Sequence, residues 1–198
     1  MIALFRHAML FLLATTAAAI HNQIQVAESI DIGVCYGMLG NNLPAATDVI
    51  NLYKKYGIGK MRLFDPNPEA LNALRGSGIQ VTLGIRNEDL PNLAASPEAV
   101  MTWFKTNVEP HLDGIEFAII AVGNEIIPGV YAQNVLPAMQ YLQSIIRAKG
   151  LAGIKVSTVV SAAILGSSYP PSSGAFTPEA SGAIRGFNKL YVITLKTI

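Results

Sequence analysis

Phe117-Ala118-Ile119-Ile120-Ala121-Val122, closed by Gly123-Asn124-Glu125, is an apolar run that stops at a turn and a carboxylate. A run of this length, without polar alternation, reads as a strand covered on both faces, as in a parallel sheet. Four more runs of the same kind lie along the chain. Residues 30–36 end at Gly37, residues 58–64 end at Asp65-Pro66, residues 79–85 end at Arg86-Asn87, and residues 154–160 form the last. Helical spacing fills the intervals. Residues 44–56 place Ala45, Val49, Ile50, Leu52 and Tyr53 on one side, and residues 69–75 form a shorter helix ended by Gly76. Ser96-Pro97-Glu98 combines a capping hydroxyl, a proline suited to the first helical position and a carboxylate against the positive helix end. Ala99, Val100, Trp103, Phe104 and Val108 follow it at helical spacing, and residues 135–149 form another helix stopped by Gly150.

Strand–helix repetition implies an α/β fold with a parallel sheet. A doubly wound nucleotide-binding sheet needs a glycine-rich turn after its first strand, but residues 37–42 read Gly-Met-Leu-Gly-Asn-Asn. No P-loop, H-E-x-x-H or G-x-S-x-G motif occurs either. The units repeat about every 31 residues, and eight such units give the roughly 250 residues of a (β/α)8 barrel. The 198 residues hold about five strands. The expected architecture is therefore either a complete open sheet or the first five strand–helix units of a TIM-type barrel.

Composition narrows the function. Hydrophobic residues make up 51% and charged residues 14%, which excludes a disordered or charge-rich chain. A net charge of +1 offers no basic surplus for phosphates, so nucleic acid is not an expected partner. One cysteine, Cys35, and three histidines, His7, His21 and His111, argue against a disulfide framework and a thiolate or His-rich metal site; no metal and no cofactor are expected. Arg6 precedes an apolar run over residues 8–20 and then small residues, the pattern of a secretory signal peptide and short for a membrane span, with a short membrane anchor as the alternative. Cleavage is expected after Ala19 or after Ser29, leaving no span in the mature chain.

Polar residues gather where the strands end: Tyr36, Asp65, Asn87, Asn124 and Glu125. In a barrel the active site is built at that end. Glu125 emerges from a buried strand, where partial desolvation would favour a neutral carboxyl and suit a general acid; the alternative is a solvated group or one paired with Arg62. Asn124 could bind a substrate hydroxyl. Asp65 before a proline also fits a plain turn, and Tyr36 fits either a rim aromatic or a sugar platform. Arg62 reads equally as a structural cation and a site residue. Trp103 reads as core, and Cys35 as a buried thiol without a chemical role.

Ile32-Gly33-Val34-Cys35-Tyr36-Gly37-Met38, Gly40-Asn41-Asn42-Leu43-Pro44 and Met61-Arg62-Leu63-Phe64-Asp65-Pro66-Asn67 resemble segments of the plant β-1,3-glucanases of glycoside hydrolase family 17. Ala73-Leu74-Arg75-Gly76-Ser77, Asn107-Val108, Ala121-Val122-Gly123-Asn124-Glu125, Lys155-Val156-Ser157-Thr158 and Ser168-Tyr169-Pro170-Pro171-Ser172 are similar in the same order. The resemblance implies a secreted (β/α)8 barrel that cleaves internal 1,3-β-glucosidic bonds with retention. Glu125 would be the acid/base, Asn124 the adjacent substrate-binding amide, and Tyr36 a residue of the cleft, with Asp65 and Asn87 beside them. A β-1,3-glucan is the implied partner, a monomer the implied state, and the cell wall or the vacuole the implied compartment. Phe64 departs from the tyrosine usual before Asp-Pro, so the resemblance implies the loss of one cleft hydroxyl, and Ile119 stands near a position where an aromatic is common. The resemblance runs from residue 30 to residue 186, so residues 1–29 are read as leader, 30–186 as the front of the barrel, and 187–198 as a divergent, truncated tail. The family's nucleophilic glutamate ends a seventh strand, which falls beyond residue 198. A non-catalytic β-glucan-binding protein and a non-functional truncated product are the competing readings.

The leader reading predicts that exported protein begins between Ile20 and Ile30. N-terminal sequencing checks this, and an intact Met1 on exported protein contradicts it.

Overall fold

The computed structural model describes residues 32–187; the expected leader, and the tail apart from Phe187, lie outside the described residues. Five strands form one parallel sheet: β1 (Gly33–Tyr36), β2 (Lys60–Leu63), β3 (Gln80–Ile85), β4 (Glu116–Asn124) and β5 (Lys155–Val159). Their order is β1-β2-β3-β4-β5. This sequential order decides between the two architectures. A doubly wound sheet reverses direction at a switch point, whereas a barrel adds each strand beside the one before it. The chain is α/β, with the first five strands of a (β/α)8 barrel.

The helices α1 (Ala46–Lys55), α2 (Pro68–Leu74), α3 (Leu90–Ala95), α4 (Pro97–Asn107), α5 (Ala132–Ala148) and α6 (Pro178–Ile184) occupy the crossovers and the segment after β5. Their ends follow local rules. Asn67, Ser96 and Thr177 each accept a hydrogen bond from the backbone N–H three residues on, with a proline next in each case. Helix α1 stops at Gly57 (φ +69°), where Gly57 N–H donates to the Lys54 carbonyl and Ile58 N–H to the Tyr53 carbonyl. An antiparallel pair, β6 (Leu165–Ser167) and β7 (Ala175–Phe176), precedes α6.

One face of the sheet is core. Tyr36, Leu63, Leu83 and Ile120 lie side by side in register and are all buried. Ile50 of α1, Leu71 of α2, Phe104 of α4 and Leu142 of α5 are buried in the same core. Trp103 is 8% exposed, a core residue as expected. The opposite face differs from the expectation of strands apolar on both sides. Cys35, Arg62 and Thr82 are register neighbours there, and with Ile119, Ala121 and Ser157 they line a cavity of about 300 Å³. The expected burial of Cys35 is overturned, since its residue is exposed on this face. Strand alternation explains it: Tyr36 turns to the helices, so the preceding residue must turn the other way.

At the opposite end of the sheet from the strand-end residues, Arg75 ties the turn after α2 to the segment before β4. Its Nη1 donates to the Pro110 carbonyl at 2.8 Å and lies 3.3 Å from His111 Nδ1, and its Nη2 donates to Asp113 Oδ1 at 2.7 Å. Burial and the Arg75 charge pull the His111 imidazole below its ordinary value of 6.5, opposed by Asp113. The neutral ring is thus favoured in the folded state, and the unfolded chain takes up the proton first. The stabilisation is present above pH 6.5 and is lost as pH falls through the lower folded value. Thermal melts from pH 7.5 to 5 should show the melting temperature dropping on the acid side. In His111→Gln, whose side chain does not titrate, that drop should shrink.

Candidate active site

The site is built around the end of β4, where the strand leaves its extended path. Gly123 adopts φ +78° and Glu125 φ +53°. A Cβ on Gly123 would sit 3.0 Å from Leu90 Cδ1 and 3.3 Å from Asn87 Oδ1, so both backbone conformation and space call for glycine. Glu125 has no such licence. A non-glycine residue in the left-handed region costs free energy, and surrounding bonds must hold it there. The β4–β5 register shifts between Ala121 and Asn124, and Glu125 N–H donates to the Val159 carbonyl at 2.8 Å.

Three hydrogen bonds from two neighbours fix Asn124. The Asn87 side-chain oxygen accepts from Asn124 N–H at 2.8 Å, and its amide nitrogen donates to the Asn124 carbonyl at 3.0 Å. From β2, Arg62 Nη2 donates to Asn124 Oδ1 at 2.6 Å. One amide thus locks the backbone, and one guanidinium orients the side chain. Arg62 is half-buried between Cys35 and Glu125; burial lowers its pKa from the ordinary value, against the opposing effects of these two neighbours. Its Cζ stands 4.6 Å from the centroid of the Phe64 ring. Both readings of Arg62 in the sequence meet here, a half-buried cation that is bonded to Asn124.

The remaining strand-end residues divide. Asn87 and Asn124 come together, with Glu125 next along the chain, but Glu125 is exposed rather than partly desolvated, because its left-handed backbone turns it away from the buried strand. Asp65 forms an ion pair with Arg86 (3.7 Å) across the ends of β2 and β3, both side chains about half exposed. Tyr36 stands at the end of β1, but its ring packs edge-on against Tyr53 of α1, with centroids 6.3 Å apart, and the residue is 7% exposed. Burial, then Tyr53 and Glu69, push its phenol pKa up. It lies with the helix-side core.

Sequence reading missed several exposed apolar side chains. Leu39, Val130, Tyr131, Tyr169 and Phe176 all lie in segments that follow the carboxyl ends of β1, β4 or β5. That is the end of a barrel sheet where ligands bind. The signal was available as apolar residues inside stretches otherwise read as turns.

The model of glycosyl hydrolases family 17 matches residues 32–195. A glucan endo-1,3-beta-glucosidase of Vitis vinifera is 52% identical over 158 residues, covering 77% of this chain and 46% of that protein. A solved plant β-glucan endohydrolase, one of two with distinct substrate specificities, is 48% identical with a TM-score of 0.74, over 77% of this chain and 49% of the other. A β-1,3-glucanase and pollen allergen of Cryptomeria japonica is 38% identical with a TM-score of 0.76, over 79% of this chain and 50% of the other. The chain spans about half the length of the relatives it matches. No helix among the described residues is long and apolar enough to cross a membrane.

Asn87→Ala strips two partners from the Asn124 backbone at once. Leaving such groups unsatisfied costs about 1–3 kcal/mol. Urea unfolding should show a loss of that order, whereas a substitution of the exposed Glu88 beside it should leave the midpoint unchanged.

Proposed function

We propose, since the chain belongs to glycosyl hydrolase family 17, that it carries the acid/base half of a retaining endo-1,3-β-glucanase site. The observation that carries this reading is Glu125, held at φ +53° at the carboxyl end of β4 beside an Asn124 fixed from β2 and β3. Strained backbone of this kind persists where its surroundings over-determine it, and it gathers at functional sites.

In this reading the Glu125 carboxyl gives its proton to the glycosidic oxygen as the C–O bond breaks. A second carboxylate, about 5–5.5 Å away, attacks the anomeric carbon from the other face of the sugar. Glu125, now a carboxylate, then takes a proton from the water that releases the glycosyl group. Asn124 Oδ1 already accepts from Arg62, so its side-chain NH2 is the group left to donate to a sugar hydroxyl near the bond being cut. Asn87 acts through Asn124 as a positioning residue. Asp65, paired with Arg86, shapes the rim. The second carboxylate belongs, by family resemblance, to a later strand than β5. Residues 1–198 taken alone are therefore proposed to bind β-1,3-glucan without turning it over. The substrate class, the retaining outcome and export led by residues 1–29 all rest on this reading. A glucan-binding role without catalysis would share the binding and differ only in the chemistry.

The test is a pair of measurements on soluble β-1,3-glucan. The 198-residue chain should bind the polymer in affinity electrophoresis and release no reducing sugar above background. If hydrolysis is seen, Glu125→Gln should lower it by orders of magnitude, as for a group that works as part of a catalytic unit. Turnover insensitive to Glu125→Gln removes the acid/base assignment.

A further inference from the structure

We infer that Thr158 of β5 is a positioning residue for Glu125, its hydroxyl holding the bulge in β4 that turns the carboxylate out of the strand. The inference rests on the reading of Glu125 as the acid/base and names a residue that acts on it through the backbone. The first observation is burial. Among the described residues Thr158 is the only buried one, aromatics aside, with a polar side chain, and it is 4% exposed. A hydroxyl taken out of water without a partner is costly, so buried hydroxyls are bonded. Here the partner is the Val122 carbonyl of β4, to which Thr158 Oγ1 donates at 2.8 Å.

The second observation is where that bond falls. Up to Ala121 the two strands advance together, with Ile119, Ile120 and Ala121 opposite Lys155, Val156 and Ser157. The next partners are Asn124 and Val159. Val122 and Gly123 of β4 therefore stand against a single residue of β5, which is Thr158. Two residues against one is a bulge, with the ladder broken and the bulged strand bent. The residue facing the bulge is thus the one whose side chain reaches across to it. Beyond the bulge, Glu125 N–H donates to the Val159 carbonyl at 2.8 Å. These two bonds grip β4 on either side of Gly123 and Asn124. The positive φ values, +78° at Gly123 and +53° at Glu125, lie between them or at the second.

The grip has a mechanical purpose. A bulge relaxes by slipping one residue toward regular pairing, and a slip of one residue sends side chains to the opposite face. Such a slip here would part Thr158 Oγ1 from the Val122 carbonyl, so the hydroxyl opposes it. Threonine suits the task because branching at Cβ restricts χ1 and keeps the hydroxyl aimed. Asn87 secures the Asn124 backbone from the β3 side, and Thr158 secures the other flank from the β5 side. The strained Glu125 is over-determined by both neighbouring strands. Thr158 itself leaves proton transfer to Glu125.

Hydrogen exchange read by NMR, and titration with the β-1,3-linked hexasaccharide laminarihexaose, test this on the 198-residue chain. Thr158→Val keeps the side-chain shape and removes the hydroxyl. It should speed exchange of the Glu125 amide about tenfold relative to that of Leu83 in β3, and weaken laminarihexaose binding about fivefold. Thr158→Ser should stay close to wild type on both, a rescue that bulk alone does not give. Ile50→Val, which loosens packing in α1 away from β4 and β5, should leave the exchange ratio and the affinity as in wild type. If Thr158→Val does not fold, Thr158→Ala against Thr158→Ser, which differ by one hydroxyl, gives the same comparison. An exchange ratio or a laminarihexaose affinity that loss of the hydroxyl leaves unchanged overturns the positioning role while leaving the glucan reading standing. Failure of wild type itself to bind laminarihexaose overturns the glucan reading and the role with it.

Discussion

The side-chain amide of Asn87 does for the end of β4 what the strand ladder no longer does. At Gly123 the backbone turns left-handed, and regular pairing with β5 is broken between Ala121 and Asn124. The Asn124 N–H and carbonyl would lose their partners at that point, and buried or half-buried backbone groups without partners are costly. Asn87 supplies both from the end of β3. With the backbone pinned, the Asn124 side chain is free to meet Arg62, Arg62 is free to carry Phe64, and Glu125 is delivered in its strained conformation. The polar mouth of the sheet depends on this exchange between two loops that are neighbours only because β3 and β4 are neighbours.

The two faces of the sheet divide the work. The helix-side row of Tyr36, Leu63, Leu83 and Ile120 supplies the apolar burial that holds the strands together. The other side carries Cys35, Arg62, Thr82 and Ser157 interleaved with apolar groups such as Ile119 and Val159 around a cavity. Such a face would be a poor core for an isolated sheet. From this face Arg62 reaches the carboxyl end of the sheet to meet Asn124.

The strands were legible because each is a short apolar run with a turn signal, and all five stand within a few residues of where the sequence placed them. The helix start at Pro97 was legible for a local reason as well, a capping side chain followed by proline, while the same signal at Asn67-Pro68 went unread. The short helix over Leu90–Ala95 and the β6–β7 pair were not read, since six or fewer residues give periodicity too little length to show. The site was legible as a set of strand-end positions and less so as a set of directions. Tyr36 and Cys35 were read onto each other's faces, because an end-of-strand residue reveals its position in the sequence but its face only through register. Arg62 could not be placed for the same reason until its neighbours in β1 and β3 were known. The exposed state of Glu125 follows from a left-handed backbone that apolar patterning does not report.

The sequential strand order also bears on how this chain comes to be folded. Each strand of the main sheet pairs with the strand next along the sequence, so every crossover closes only a short loop, and no pairing waits for a distant segment. Contacts of this kind keep contact order low for a parallel sheet and allow structure to grow in the direction of synthesis. A partner of each strand after β1 has therefore always been synthesised before it, and the edge that each of β1 to β4 leaves open is the one its successor covers.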